Sequence, residues 1–181
     1  LSPHHLKHNG DLIWQIGTGY FGCRDEEGKF SPSDFKKQAN LESVKNAVEI
    51  ANTLNIPLLY ISTAGIFDGE KDVYDESDSP NPIGHYAKSK YQGEKHVIKN
   101  AKKYLICRAG WMMGGGPKKD KKFIQKILKQ IKDGKKELFI VDDKFGTPTY
   151  TIDFAKNTKA LIESNKFGLF NMACEGNTSR Y

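Results

Sequence analysis

Tyr86 and Lys90 stand four residues apart in "YAKSK", and Thr63 is the fourth residue of "YISTAG". A Tyr and a Lys at that spacing share one face of a helix. An ammonium held beside a phenol favours the phenolate, which brings a hydroxyl with an ordinary pKa of about 10 toward useful acid/base range. A threonine hydroxyl at the end of an adjacent strand can hydrogen-bond the same substrate oxygen. Together the three would deliver a proton to a carbonyl as a hydride arrives from a nicotinamide. The spacing alone is a weak signal, because the chain offers a second match, Tyr91 with Lys95. Tyr91 falls on the apolar stripe of its expected helix and reads as a packing residue, whereas Tyr86 stands where the chain leaves a loop and enters the helix.

These residues need a strand and a helix to present them, and the segments around them supply both. "IPLLYIST" is a short run of β-formers, apolar on both faces, which predicts a buried strand. It leads into the turn-rich "AGIFDG" and an acidic, proline-bearing loop, "YDESDSPNPIG". From His85 to Lys103 the pattern is helical, with Ala87, Tyr91, Ile98 and Ala101 as its apolar stripe. Upstream, "DLIWQIG" reads as a strand. After it, Phe35, Ala39, Val44, Ala47, Val48 and Ala51 recur at helical spacing, predicting one helix or two with a break near Leu41. Downstream come the strand and glycine loop "YLICRAGWMMGGG" and an amphipathic helix with Phe123, Ile124, Ile127, Leu128 and Ile131 inward. A strand "ELFIV", a helix "TIDFAKNTKALIESN" and a strand "GLFNMAC" complete the pattern. Alternation of this kind predicts an α/β fold with a parallel sheet.

Composition narrows the function classes. With 181 residues and 38% hydrophobic content, the chain can bury the core of one α/β domain. No apolar run reaches membrane-spanning length and no basic-then-apolar leader opens the sequence, which predicts a cytoplasmic protein with no membrane partner. Cys23, Cys107 and Cys174 are odd in number and far apart, as expected of reduced thiols. The net charge is +6, but of 28 basic residues only Arg24, Arg108 and Arg180 carry the planar fork favoured for base edges. "PKKDKKF" and "IKDGKKE" therefore read as solvated lysine faces rather than a nucleic-acid site. His4, His5 and His8 lie in an N-terminus expected to be flexible, with no acidic or cysteine ligand beside them, and no structural metal is expected.

The glycine-rich "GTGYFG" is the nearest approach to a phosphate-cradling turn. A dinucleotide site needs such a turn to open directly into a helix N-terminus. Here Gly19 and Gly22 are followed by the acidic Asp25, Glu26 and Glu27, and helical periodicity begins only some ten residues later.

From about Asn46 to Tyr181 the chain resembles the extended short-chain dehydrogenase/reductases, and within them the dTDP-4-dehydrorhamnose reductase family. The resemblance runs in order through "YISTAGIFDGE", "YAKSKYQGE", "ICRAGWMMG", "KFIQKIL", "VDDKFGTPTYTIDFA" and "GLFNMACEGNTSRY". It implies a Rossmann-like three-layer sheet flanked by helices, truncated at both ends relative to the family. It further implies an NADP- or NAD-dependent reductase of the 4-keto group of a nucleotide-linked 6-deoxyhexose, and it allows a homodimer. Thr63, Tyr86 and Lys90 fall on the catalytic positions, with Tyr86 as proton donor. Ser62, Tyr86, Lys90 and Arg108 fall on the cofactor side, Lys90 reaching the nicotinamide ribose. Trp111, Lys122 and Lys144 fall on the substrate side. The chain departs from the family at Ala64 and Gly65, which stand where Asp and Tyr are usual. Lys122 replaces an Asn and Lys144 a Gln.

Residues 1–45 resemble instead a piece of the FMN-binding domain of glutamate synthase-like proteins, through "WQIGTGYFG", where Gln15 matches a candidate flavin contact. Such a piece supplies about one and a half of the eight β/α units a barrel needs, so it cannot build an FMN site alone. The resulting expectation is a mosaic. "DLIWQIG" should pair in parallel beside "IPLLYIST", with the Asp34 to Asn55 helix as a right-handed crossover. Two rivals remain at this level: an inactive α/β scaffold and an FMN-binding fragment.

Overall fold

The computed structural model describes residues 5–8, 11–16, 34–116 and 123–181, with side chains from residue 41 onward within that set. In chain order the elements are β1 (His5–His8), β2 (Asp11–Ile16), α1 (Asp34–Thr53), β3 (Leu58–Thr63), a 3-10 turn (Ala64–Ile66) and α2 (His85–Asn100). Then follow β4 (Tyr104–Ala109), β5 (Trp111–Met113), α3 (Phe123–Lys132), β6 (Pro148–Tyr150), α4 (Thr151–Glu163) and β7 (Gly168–Met172). They fall into two compact units, Leu1–Arg108 with Asn165–Asn171, and Ala109–Ser164 with Met172–Tyr181.

The first unit holds a sheet of order β1-β2-β3-β4-β7. As expected, β2 runs parallel to β3, with Gln15 opposite Leu59, and α1 is the connection between them. The N-terminal histidines depart from expectation: His5–His8 form a strand antiparallel to β2. The two residues separating those strands in sequence are Asn and Gly, the pair that favours two-residue hairpins. The imidazoles, like the side chains of Gln15, Phe35 and Ala39 and the whole of Gly19, Gly22 and Cys23, lie outside the described residues.

Helix α1 is continuous through Leu41. Its Val44, Ala47, Val48 and Ala51 are buried against Leu58, Tyr60, Val97 and Ile106, which is the core of this unit. Each fully buried valine contributes about 1.5–3 kcal/mol relative to exposure. The helix stops at Asn55, which takes the left-handed conformation at φ 53°, a role that Asn fills well when Gly is absent. Asn165 ends the run after α4 in the same way, also at φ 53°. On the opposite side of the sheet Leu59, Leu105 and Cys107 are buried too, so β3 and β4 are covered on both faces, as parallel strands usually are.

In the second unit β5 pairs in parallel with β6, Trp111 facing Pro148. Two expectations fail here. "ELFIV" is not a strand: among the described residues no strand takes up its backbone groups, and Phe139 stands 96% exposed. β-Propensity has no effect without a partner to pair with. The helix α3 forms where expected, but Ile124, Leu128 and Ile131 point outward and Phe123 and Ile127 are only half-buried. A helical period predicts which residues share a face, not what covers that face.

Helix α2 crosses β3 at Gly93. A Cβ built there would lie 2.4 Å from Tyr60 Oη and 3.3 Å from a Val44 methyl group. Gly93→Ala should therefore cost about 1–3 kcal/mol through overpacking, and a thermal melt showing an unchanged midpoint would overturn this account of the crossing.

Candidate active site

The strand β3 carries Tyr60, Ser62 and Thr63 to the carboxyl edge of the sheet, which is where open α/β sheets bind their ligands. Thr63 ends the strand and caps the 3-10 turn, its Oγ1 accepting a hydrogen bond from Gly65 N–H at 3.1 Å. The oxygen is thus occupied as an acceptor while the hydroxyl proton stays available to a substrate. Gly65 does not depend on glycine's special backbone freedom. A Cβ there would meet Thr63 Oγ1 at 3.4 Å, an ordinary contact.

Tyr86 is the second residue of α2, entered from Gly84, and is 52% exposed. Lys90 follows one turn later on the same face and is buried. Its Nζ donates to the Ile61 carbonyl oxygen at 2.5 Å and lies 4.2 Å above the Tyr60 ring. Tyr60 Oη in turn donates to the Lys90 carbonyl oxygen at 3.0 Å. One aromatic residue thereby seats both the backbone and the head of the lysine. Burial lowers the Lys90 pKa to about 8, and Glu94 works against that shift. The Tyr60 phenol is pushed upward, chiefly by burial and then by Glu94 and Tyr86. The second matching pair behaves differently: Tyr91 is half-buried with Lys95 Nζ 4.8 Å above its ring.

Beneath Lys90 on α2, Glu94 is fully buried and grips Arg108 of β4. Arg108 Nε reaches the two carboxylate oxygens at 3.1 and 3.2 Å, and Nη2 donates to Oε1. The Phe67 ring lies 5.2 Å from the guanidinium and stacks on Tyr74 with centroids 4.3 Å apart. Tyr74 Oη donates to Asp68, holding that carboxyl down at about 2. The acidic loop is thus an ordered surround for the strand end. The buried face of α2 is Ala87, Lys90, Glu94 and Val97; of the expected stripe Ala87 is buried, Tyr91 half-buried and Ala101 packed against the core, while Ile98 is 44% exposed, which corrects the reading there. Glu94, Tyr60 and Phe67 were missed as site residues. The available signal was Glu94 at four residues from Lys90 in "YAKSKYQGE".

Of the residues expected on the cofactor side, Ser62 Oγ and Arg108 Nη1 are buried without a protein partner. With the exposed Tyr86 and the Lys90 ammonium, these groups suit the nicotinamide and ribose end of a dinucleotide. A glycine turn for its pyrophosphate is not among the described residues. In the second unit Trp111 is half-buried and Lys144 exposed, while Lys122 lies outside the described residues. No helix among the described residues is long and apolar enough to cross a membrane.

Residues 30–181 match the family model for the RmlD substrate binding domain. That match begins at residue 30. The comparisons lend no support to a flavin site in residues 1–45. The chain is 33% identical over 130 residues to the dTDP-4-dehydrorhamnose reductase of Mycobacterium tuberculosis, covering 68% of this chain and 42% of that protein. A crystal structure of a dTDP-4-dehydrorhamnose reductase from Clostridium acetobutylicum superposes with a TM-score of 0.73 at 31% identity, covering 83% of this chain and 55% of that one. The enzyme of the same name from Bacillus anthracis, solved in complex with NADP, gives a TM-score of 0.73 at 28% identity with the same coverage. The chain thus spans about half the length of these relatives.

The lowered Lys90 pKa carries a stability signature. The unfolded lysine, near 10.5, holds its proton between about pH 8 and 10.5 while the folded one has lost it. Folding stability should therefore rise with pH through that window and fall away as pH drops through 8. Urea midpoints at pH 7.5 and 9.5, the upper point kept below tyrosine titration, should show a rise in the parent relative to Lys90→Met. Parallel pH dependences in the two proteins would refute it.

Proposed function

The chain belongs to the RmlD substrate binding domain family, and from that membership we propose that it carries out the nicotinamide-dependent reduction of the 4-keto group of a nucleotide-linked 6-deoxyhexose. The observation that carries this reading is the buried Lys90, whose Nζ donates to the Ile61 carbonyl of β3 two residues before Thr63 ends the strand, with the exposed Tyr86 one turn earlier on the same helix. NADP, named with the Bacillus anthracis relative, is the cofactor we assign. When bound it supplies the hydride. We place the reaction in the cytoplasm.

Each residue then has a defined part. Tyr86 Oη gives its proton to the carbonyl oxygen that becomes the product hydroxyl, and the resulting phenolate is favoured by the ammonium one turn away. Thr63 donates its hydroxyl proton to that same oxygen while its own oxygen accepts from Gly65 N–H. Lys90 donates one of its three N–H groups to Ile61 and lies over the Tyr60 ring.

NADPH oxidation measured with a keto-deoxysugar nucleotide should be lowered about 10²- to 10⁴-fold in Tyr86→Phe, with Thr63→Val also impaired and Thr63→Ser retaining most of the rate. Equal turnover in Tyr86→Phe and the parent would sink the mechanism.

A further inference from the structure

The buried Lys90 ammonium lacks the partner such a charge usually has. Among the described residues no carboxylate lies within ion-pair distance of it. Glu94, one turn further along α2, commits its carboxylate to Arg108 of β4. What the ammonium meets is the Ile61 carbonyl oxygen at 2.5 Å and the face of the Tyr60 ring at 4.2 Å. All of these groups belong to the first unit.

An aromatic face is negative, so it attracts a cation and not a neutral amine, and withdrawal from water strengthens the attraction. Burial pulls the Lys90 pKa down to about 8 while Glu94 opposes that shift. The ring acts in the same sense as Glu94, because it too favours the charged form. The titratable and charged groups around the pair are Tyr86 and Glu94 on α2, Tyr60 on β3 and Arg108 on β4, the last through Glu94. Tyr60 is no proton donor itself. Burial pushes its phenol upward, and its hydroxyl donates to the Lys90 carbonyl oxygen at 3.0 Å, against the close approach at Gly93. Ring and hydroxyl therefore do separable things: one meets the charge, the other holds the helix.

We propose that Tyr60 is a positioning residue for the reaction, its ring keeping the Lys90 ammonium charged and in place one turn from Tyr86 while its hydroxyl only docks the helix. The inference rests on the reductase reading above and adds the residue that maintains the lysine's charge. Carbon-13 labelling of the lysine ε position lets NMR follow Lys90 directly, its signal assigned by its loss in Lys90→Met. In the parent the Lys90 ε-methylene protons should stand upfield of ordinary lysines, as the current of a ring beneath them requires, and Tyr60→Phe should keep that displacement. Tyr60→Leu should lose it, and its Lys90 should titrate about 0.5–1.5 pH units lower, the worth of a desolvated cation–ring contact. The alkaline fall of NADPH oxidation with a keto-deoxysugar nucleotide should move to lower pH by the same amount in Tyr60→Leu and stay in place in Tyr60→Phe. A purely structural role would lower both melting midpoints and leave that limb where it is. A Lys90 that titrates unchanged or higher in Tyr60→Leu, or shifts equally in Tyr60→Phe, would overturn the proposal. Should the leucine variant not fold, the upfield displacement in the parent and its retention in Tyr60→Phe decide, and its absence from either overturns the role. A parent without NADPH oxidation would refute the reductase reading, whereas the Lys90 titration needs no turnover.

Discussion

A positive charge buried between a strand and a helix is the constraint around which the first unit is arranged. Lys90 is withdrawn from water, and such a group is tolerated only if the protein replaces the hydration it loses. The replacement is built from β3: the Ile61 carbonyl takes a hydrogen bond and the Tyr60 ring underlies the ammonium. For Tyr60 to lie there, α2 must come close, and it does so at a glycine. The same phenol then fastens the α2 backbone at the lysine's own carbonyl. Orientation of the helix and solvation of the charge are therefore one arrangement. It fixes α2, whose first turn carries Tyr86, against the strand that Thr63 ends.

A second buried pair deepens the dependence. Glu94 offsets part of the burial cost at Lys90, and Arg108 keeps Glu94 from standing alone in the core. Breaking a pair of this kind by removing one partner is far more costly than never having had it. The pair also connects the sheet to the loop through Phe67 and Tyr74. That loop is further held to β7, because Asn171 donates its backbone N–H to Glu76 at 2.7 Å. Packing, charge and loop order thus converge on one strand end.

Much of this frame was legible in the residues. The parallel pairing of β2 and β3 followed from two apolar runs joined by a helical period, and the inward residues of α1 from Val44 onward were as read. What escaped was whatever contradicts the rule that apolar residues turn inward. The buried face of α2 carries Lys90 and Glu94, so a search for apolar stripes chose Tyr91 and Ile98. "ELFIV" has strand composition and no strand beside it, and the stripe of α3 is real but uncovered among the described residues. Tyr60 meets Lys90 only in space, so no local window holds its signal. "YAKSK" keeps Tyr86 and Lys90 within one turn, so their place on one helix was readable from a local window.

The two small residues after Thr63 have an evolutionary meaning. Ala64 and Gly65 stand where the family resemblance would put an acid and a phenol, yet the backbone at Gly65 has not been reshaped to exclude a side chain. A Cβ at that position meets no forbidden conformation and only an ordinary contact with Thr63. The change is thus reversible at low structural cost, and substrate range at this strand end can drift without disturbing the charge buried beneath it. Selection can revise the rim of the site independently of its foundation.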